Sequence, residues 1–217
     1  MDTTTFWNYV ATYNETTWLV QALMIIAAAY LTYRVFAKPG TKTNAWMKAF
    51  LAFAFAWNGI VFFLIFVRNP ISMVIGTPLF VIVSVLFAVD IFTKRTEFQL
   101  PNAKWKRNLT YLWLILAALY PLIGWVSLGH AYPKMLLPLF PCPLTVFAIT
   151  LVAAASPRVD KKTFIALLPW ALLGLPKCFG VLDCYEDCIL FAAGVYGLVV
   201  LIKNWKIKLA DHGSTSA

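Results

Sequence analysis

Long apolar runs, separated by short polar connectors, make up most of this chain. Each run approaches the roughly 20 residues that an α-helix needs to cross a bilayer. The pattern predicts an all-α protein, a polytopic membrane helical bundle with about seven transmembrane helices. The predicted spans are 18–37, 46–67, 71–93, 108–128, 136–155, 164–182 and 184–202.

Prolines interrupt two of these spans. In "LLPLFPCPLTVF", Pro138, Pro141 and Pro143 each lack an amide donor and restrict the preceding residue. The fifth span should therefore begin with an unwound or kinked segment, with Pro143 in the first turn of the helix. Irregular backbone at membrane depth either packs inside protein or lines a cavity, so a binding site and a tight buried turn both remain open. Pro169 and Pro176 leave the continuity of the sixth span open.

The same pattern divides the chain into three parts. Residues 1–17 form an extracytoplasmic interfacial segment, because their aromatic side chains favour the headgroup zone. Residues 18–203 form the transmembrane domain, and residues 204–217 form a short polar cytoplasmic tail. The first residues, "MDTTTFWNYV", lack the basic region of a signal peptide, so the first span should remain in the protein.

Composition and charge add an orientation. The chain is 61% hydrophobic and 12% charged, far from the balance of a soluble domain, and its formal net charge is +9. With seven spans, 15 of its 18 basic residues fall on one side. Basic connectors stay cytoplasmic, which places the amino terminus outside and the carboxy terminus inside. The expected partner is the lipid bilayer, and no nucleic-acid partner is expected.

Unusual side chains gather on the predicted outer side. Every cysteine, and the only histidine before the tail, fall there. An ionisable residue in a span is costly and commonly functional, so Asp187 should have a cationic partner. The candidate pocket residues are Asn14, Gln21, Arg68, Asn69, His130, Tyr132, Cys142 and Asp187.

Five polar residues have simpler interpretations. Asp183 and Glu186 have the spacing of a capping box at the start of the last span. Asp90 and Lys94 are spaced for an ion pair along one helix. Asn58 is expected to make an interhelical hydrogen bond.

The cysteines allow several interpretations. Soft thiolates favour Cu(I) or Zn, and the weak metal-ligand candidates are Cys142, Cys178, Cys184, Cys188 and His130. No C-x-x-C or H-x-x-x-H spacing is present, so no metal site and no cofactor are predicted. Cys178 could instead form a disulfide with Cys184 or Cys188, or the cysteines could be buried thiols.

Three functions fit these features. The leading hypothesis is that an outward-facing polar pocket binds or transports a small solute or ion. The second is an intramembrane enzyme with His130 and Asp187 as acid and base and Cys142 as nucleophile. It is less favoured, because no recognised catalytic spacing is present. The third is a membrane scaffold or accessory subunit.

Several motifs carry a resemblance over nearly the whole chain. "YNETTWLVQ", "RNP", "YPLIGWVSLGHAYP" and "FPCPLTVF" resemble a bacterial family of multi-pass membrane proteins that is catalogued only as a domain of unknown function. The resemblance implies location in the bacterial inner membrane. Leu19, Leu144 and Ala148 depart from the family pattern. The motif residues here are Tyr13, Asn14, Trp18, Gln21, Asn69, Pro70, Tyr120, Pro121, Gly129, His130, Tyr132, Pro133, Pro141, Cys142, Pro143 and Asp187.

Overall fold

A computed structural model describes residues 1–156 and 159–206, and that part of the chain is helical without any β-strand. The helices are α1 (Thr3–Ala37), α2 (Thr41–Val67), α3 (Ser72–Thr93), α4 (Lys104–Ala118), α5 (Tyr120–Leu128), α6 (Pro141–Ala154), α7 (Lys161–Leu172), α8 (Leu175–Cys178) and α9 (Asp187–Lys203). Most of the predicted cytoplasmic tail, from residue 207 onward, lies outside the described residues. The all-helical fold class is confirmed.

Three helices are long and apolar enough to cross a membrane, namely α1, α2 and α3. Helices α4 and α5 would together supply a fourth crossing if they count as one span. The helix axis bends by 59° between them. The later predicted spans correspond to shorter helices of 14, 12 and 17 residues, α6, α7 and α9. The sixth predicted span is broken, because α7 ends at Leu172 and α8 follows as a separate short helix.

Helix α1 is longer than predicted. Residues 3–17, which were predicted to lie at the membrane surface, belong to the same helix as the first predicted span, because one helix runs without a break from Thr3 to Ala37. Asp2 caps it by accepting a hydrogen bond from the Thr5 amide at 2.9 Å, and this bond lowers the pKa of the exposed Asp2 carboxyl. The aromatic side chains expected at the membrane surface, Trp7 and Tyr13 among them, are buried inside the protein.

Helices α2 and α3 pack closely because each contributes a glycine. A Cβ atom on Gly59 would lie 3.2 Å from the Phe80 Cβ, and one on Gly76 would lie 3.1 Å from the Phe63 ring. Both glycines lie in stretches wound as π-helix, Asn58–Val67 and Ser72–Gly76. Small residues permit this approach in lipid, where burial of apolar surface gives no drive for helix association.

Helix α6 is enclosed on all sides. Every residue from Pro141 to Ala154 is buried, and the helix packs against α2, α4, α7 and α9. A helix that is apolar all round is suited to the middle of a bundle. Pro141 occupies the first turn, where its missing amide costs nothing, and Pro143 lies in the same turn. The predicted irregular start of the fifth span is confirmed, since residues 129–140 form turns rather than helix.

Two buried asparagines hold this irregular connector. Asn14 on α1 donates to the carbonyls of Pro133 and Met135 at 2.7 and 2.9 Å. Asn58 on α2 donates to the Leu139 carbonyl at 3.0 Å and to the Ala54 carbonyl of its own helix at 2.9 Å. The side chains thus supply donors that a regular helix would have provided.

The predicted Asp90–Lys94 pair is wrong. Helix α3 ends at Thr93, and Lys94 takes a left-handed conformation that ends the helix. The Asp90 carboxylate instead pairs with Lys48 of α2 at 3.0 Å. It also accepts from the Arg95 amide at 2.6 Å, so the end of the helix rather than helical spacing decides its partners.

We predict that Asn14→Ala lowers the free energy of unfolding by about 1–3 kcal/mol, because two connector carbonyls lose their donor. Thermal or denaturant unfolding of the purified protein in detergent measures the change. The control is Asn8→Ala on the exposed side of the same helix, which should stay within about 0.5 kcal/mol of wild type. Equal effects of the two substitutions would contradict this role for Asn14.

Candidate functional site

Asp187, the first residue of α9, is fully buried and is held by three side chains from three other segments. Tyr120 of α5 donates its hydroxyl to one carboxylate oxygen. Lys177 of α8 lies 2.8 Å from the other oxygen, and the Cys142 thiol of α6 donates to that same oxygen at 3.2 Å. We call these four residues the Asp187 cluster. The predicted cationic partner of Asp187 is therefore Lys177.

The break between α7 and α8 makes this arrangement possible. In a continuous sixth helix, Lys177 would lie further along the axis of α7. Instead, the chain turns after Leu172 and α8 packs against α9. The Gly174 backbone lies against α9, since a Cβ there would be 3.2 Å from the Asp187 carbonyl oxygen. The Lys177 ammonium also lies 3.6 Å from the Cys142 sulfur and 5.5 Å from the centre of the Trp170 ring.

A cavity of about 320 Å³ adjoins the cluster, and Cys142 and Lys177 form part of its wall. We call it the apolar cavity, because aromatic and aliphatic side chains make up most of the remaining wall. Phe63, Phe140 and Trp170 are examples. Its size lies within the roughly 300–1,000 Å³ of small-molecule sites, which typically combine apolar walls with a few polar groups. The sequence led us to expect a more polar pocket.

A second pair of ionisable groups lies beside the cluster. His130 Nδ1 is 3.0 Å from Glu186 Oε1, and the His130 ring packs on Trp7 with the ring centres 4.0 Å apart. The predicted capping box is therefore wrong. Asp183 lies in a 3₁₀ turn with φ of 52°, and the side chain of Glu186 contacts His130 instead of the backbone of α9.

Only some of the predicted pocket residues meet. Cys142 and Asp187 are in contact, and Asn69 lines the apolar cavity while its side chain also accepts from the Ile71 amide at 3.0 Å. Asn14 binds the connector, and Gln21 supports it by donating to the Asn14 side-chain oxygen at 3.1 Å.

The remaining predicted residues lie apart from the Asp187 cluster. Arg68 is exposed and ends α2, with its side chain bonded to the Ile65 carbonyl at 2.8 Å. His130 and Tyr132 line an open surface depression of about 470 Å³, which Trp7 also lines. The predicted pocket is thus divided between a cavity and a depression.

All four cysteines lie in the described part of the chain, and all four are thiols rather than members of a disulfide. Cys142 and Cys184 are buried, and Cys188 is exposed. Within residues 1–156 and 159–206, no three histidine, cysteine or carboxylate side chains come together as a metal site would require. The weak metal candidates Cys142, Cys178, Cys184, Cys188 and His130 therefore do not converge.

The sequence did not assign Tyr120, Lys177 and Glu186 to the candidate pocket. Tyr120 belongs to the "YP" motif, but a tyrosine in an apolar run is ordinarily interpreted as packing. Lys177 is one of the basic residues on the predicted outer side, and it becomes the partner of Asp187 because α8 lies directly against α9. Glu186 was assigned to a helix cap. One signal could have identified Lys177. A buried carboxylate requires a basic partner, and Lys177 is the basic residue nearest to Asp187 in the sequence.

We predict that Lys177→Met destabilises the protein by about 3–5 kcal/mol, since it leaves the Asp187 charge buried without its partner. In the double variant with Asp187→Asn, the two losses should be less than additive, by about 1 kcal/mol or more. Denaturant unfolding of both single variants and the double variant measures this coupling. Lys134→Met, on the exposed connector, is the control and should change little. Additive losses would contradict the buried pair.

Comparison with known proteins gives one result for the chain as a whole. No curated protein and no solved structure matches it. A family model matches residues 3–211, nearly the entire sequence, and confirms the resemblance to a family without an assigned activity. The chain belongs to a family of unknown function, DUF6064.

Proposed function

We propose that this protein crosses the bacterial inner membrane seven times and binds a small amphipathic solute in the apolar cavity. The observation that carries the proposal is the position of the Lys177–Asp187 pair. A buried ion pair is a poor source of stability, and an ionisable residue in a membrane protein is commonly functional. Here Lys177, one member of the pair, lines a cavity of suitable size.

Contacts between connectors support the seven crossings. At one end, Lys106 donates to Ser156 at 3.4 Å, so the start of α4 meets the end of α6, and Lys161 donates to the Trp205 carbonyl, so the start of α7 meets the end of α9. At the other end, Trp7 donates to the Leu182 carbonyl at 3.0 Å. The first end holds most of the basic residues, which favours a cytoplasmic location for it.

The short helices are compatible with this topology. With a rise of about 1.5 Å per residue, α6 is only about 21 Å long, shorter than the roughly 30 Å hydrocarbon core. Because α6 is enclosed by protein, it does not need to match the thickness of the lipid. A solute that crosses a membrane through a protein must first bind to that protein, so the same cavity would serve a transporter.

The walls define the chemistry of the solute. An apolar body would pack on Phe63, Phe140 and Trp170, and its polar group would face Lys177. Tyr120, Cys142 and Lys177 all supply hydrogen-bond partners to Asp187, so both oxygens of that carboxylate already have partners. An ammonium has three donors, which leaves Lys177 able to bind a carbonyl, hydroxyl or carboxylate oxygen of the solute.

Fluorescence of Trp170 offers a test with 4-bromobenzoate as the probe. This molecule has an apolar ring, a carboxylate, and a bromine atom that quenches a nearby indole. We expect saturable quenching of the wild-type protein in lipid nanodiscs. Bromobenzene, which lacks the acceptor group, should bind about tenfold more weakly or worse, because it forms no bond to the charged Lys177.

Two variants decide whether the quenching comes from the cavity. Trp170→Phe should remove the saturable component, whereas Trp113→Phe should retain it, because Trp113 packs on Tyr196 between α4 and α9. Ser72→Phe fills the cavity from α3 and should also abolish binding. Saturable quenching that survives both Trp170→Phe and Ser72→Phe would overturn the proposal.

A second candidate function is a thiol-dependent enzyme, and one observation favours it. Cys142 lines the apolar cavity next to a cation, so a substrate in the cavity could meet a nucleophile. The roles proposed for the other two residues differ from those the sequence indicated. His130 contacts Glu186, and Asp187 is held by Tyr120 and Lys177, so Lys177 is the better candidate for an acid–base group beside the thiol.

Labelling with a small thiol reagent separates the two functions. A catalytic Cys142 would react as an anion well below pH 8. If the site only binds, a variant retaining Cys142 alone should react slowly at neutral pH, and more slowly still with 4-bromobenzoate present. A variant retaining only the exposed Cys188 is the control for reagent quality and should not respond to the probe. Fast Cys142 labelling at pH 6 would favour the enzyme.

A further inference from the structure

Glu186 is a buried carboxylate with an incomplete set of partners. Its relative exposure is 4%, and one oxygen, Oε1, lies 3.0 Å from His130 Nδ1. The other oxygen, Oε2, is also buried and has no hydrogen-bond partner among the described residues. A buried ionised carboxylate ordinarily collects several donors or a full counter-charge, so this one is poorly suited to remain ionised by itself.

The packing around Glu186 keeps it in this position. A Cβ on Gly124 of α5 would lie 3.1 Å from Glu186 Oε1 and 3.7 Å from His130 Nδ1, so a larger residue there would press on the Glu186 carboxylate. Trp7 covers one face of the His130 ring. The His130 side chain keeps 14% of its surface exposed and lines the surface depression, whereas that of Glu186 keeps 1%. The histidine is thus the accessible member of the pair.

The neighbouring charges do not compensate Glu186. Lys177 is the partner of Asp187, which leaves His130 as the ionisable donor in contact with Glu186. The charged and titratable groups that face the pair from the surrounding segments are Tyr120 on α5, Asp187 on α9, Cys184 before α9, and Lys134 and Asp183 at the rim of the depression. From α1, Trp7, Thr3 and Thr4 contribute no charge.

The proton count of the pair follows from these contacts. With one proton, whether on the imidazole or on the carboxyl, the pair carries no net charge. Without a proton it leaves a buried anion next to Asp187, and with two protons it becomes a cation. The state with one proton is therefore the one that leaves no net charge buried, and His130, at the edge of the depression, is the member of the pair that can exchange that proton with solvent.

We propose that His130 and Glu186 together form a proton-binding site, loaded from the surface depression and adjacent to the Asp187 cluster. The site lies on the face that carries the amino terminus. Because Glu186 precedes Asp187 in the chain, loss of the proton adds a negative charge next to the Lys177–Asp187 pair. The proton is thereby linked to the cavity, and this link rests on the function proposed above.

Two spectroscopic measurements test the site without any solute. The chain has two histidines, so protein labelled only at histidine gives two imidazole signals, and His130→Gln identifies that of His130. In Glu186→Gln the proton affinity reported by His130 should fall tenfold or more, a shift of about one pH unit in the midpoint. Asp183→Asn removes an exposed carboxylate at the same depression and should shift the midpoint much less.

The complementary measurement follows the carboxyl group by infrared difference spectroscopy. In His130→Gln the buried Glu186 has no counter-charge, so we expect the carbonyl band of a protonated carboxylic acid at neutral pH. The double variant His130→Gln/Glu186→Gln should lack that band. An unchanged His130 midpoint in Glu186→Gln, or no acid band in His130→Gln, would overturn the proton site.

A third measurement tests the link to the cavity. Affinity for 4-bromobenzoate, read from Trp170 fluorescence, should change several-fold across the titration of the pair in the wild type and stay constant in the double variant His130→Gln/Glu186→Gln, which has neither titratable group. Equal pH dependence in both proteins would overturn the link. If 4-bromobenzoate binds the wild type at no pH, the proposed function fails, while the two spectroscopic measurements still decide whether the proton site exists.

Discussion

Peptide groups that leave a helix inside a membrane protein must find partners, and this constraint shapes the whole bundle. The connector at residues 129–140 has three carbonyls held by the side chains of Asn14 and Asn58. Those bonds tie the connector to α1 and α2 and so set where α6 begins. The start of α6 in turn places Cys142 next to Asp187. The position of the site therefore depends on two amides that do not belong to it.

The partners of the buried acidic residues also depend on where a helix begins. Two acidic residues that are adjacent in sequence, Glu186 and Asp187, face different partners because α9 begins between them. Asp187 points into the bundle, toward a lysine and two hydroxyl or thiol donors, while Glu186 contacts a half-buried histidine. One carboxylate thus contacts a lysine, and the other contacts a histidine. Asp187 thereby contacts two residues of the cavity wall, Cys142 and Lys177, and Glu186 contacts one residue of the depression, His130.

The sequence predicted the helical class and the irregular start of the fifth span, because apolar runs and prolines act locally. It failed where an element ended at an unexpected residue. Asp90 lost the predicted partner Lys94 because α3 ends at Thr93, and the capping box failed because Asp183 lies in a turn before α9 begins. The Lys177–Asp187 contact depends on the break after Leu172, and the spacing of residues in the sequence does not predict which way the chain turns there. Asn14 and Gln21 were recognised as unusual, but only the fold shows that they bind backbone.

The enclosure of α6 has a consequence for how the protein is made. A segment of 14 residues that begins with two prolines in its first turn is too short to enter lipid as an independent unit. Two of its four neighbours, α7 and α9, are synthesised after it. The nascent chain must therefore hold α6 beside α2 and α4 until the last helices arrive and close around it. Of the helices that enclose α6, the last to be synthesised is α9, which also carries Asp187.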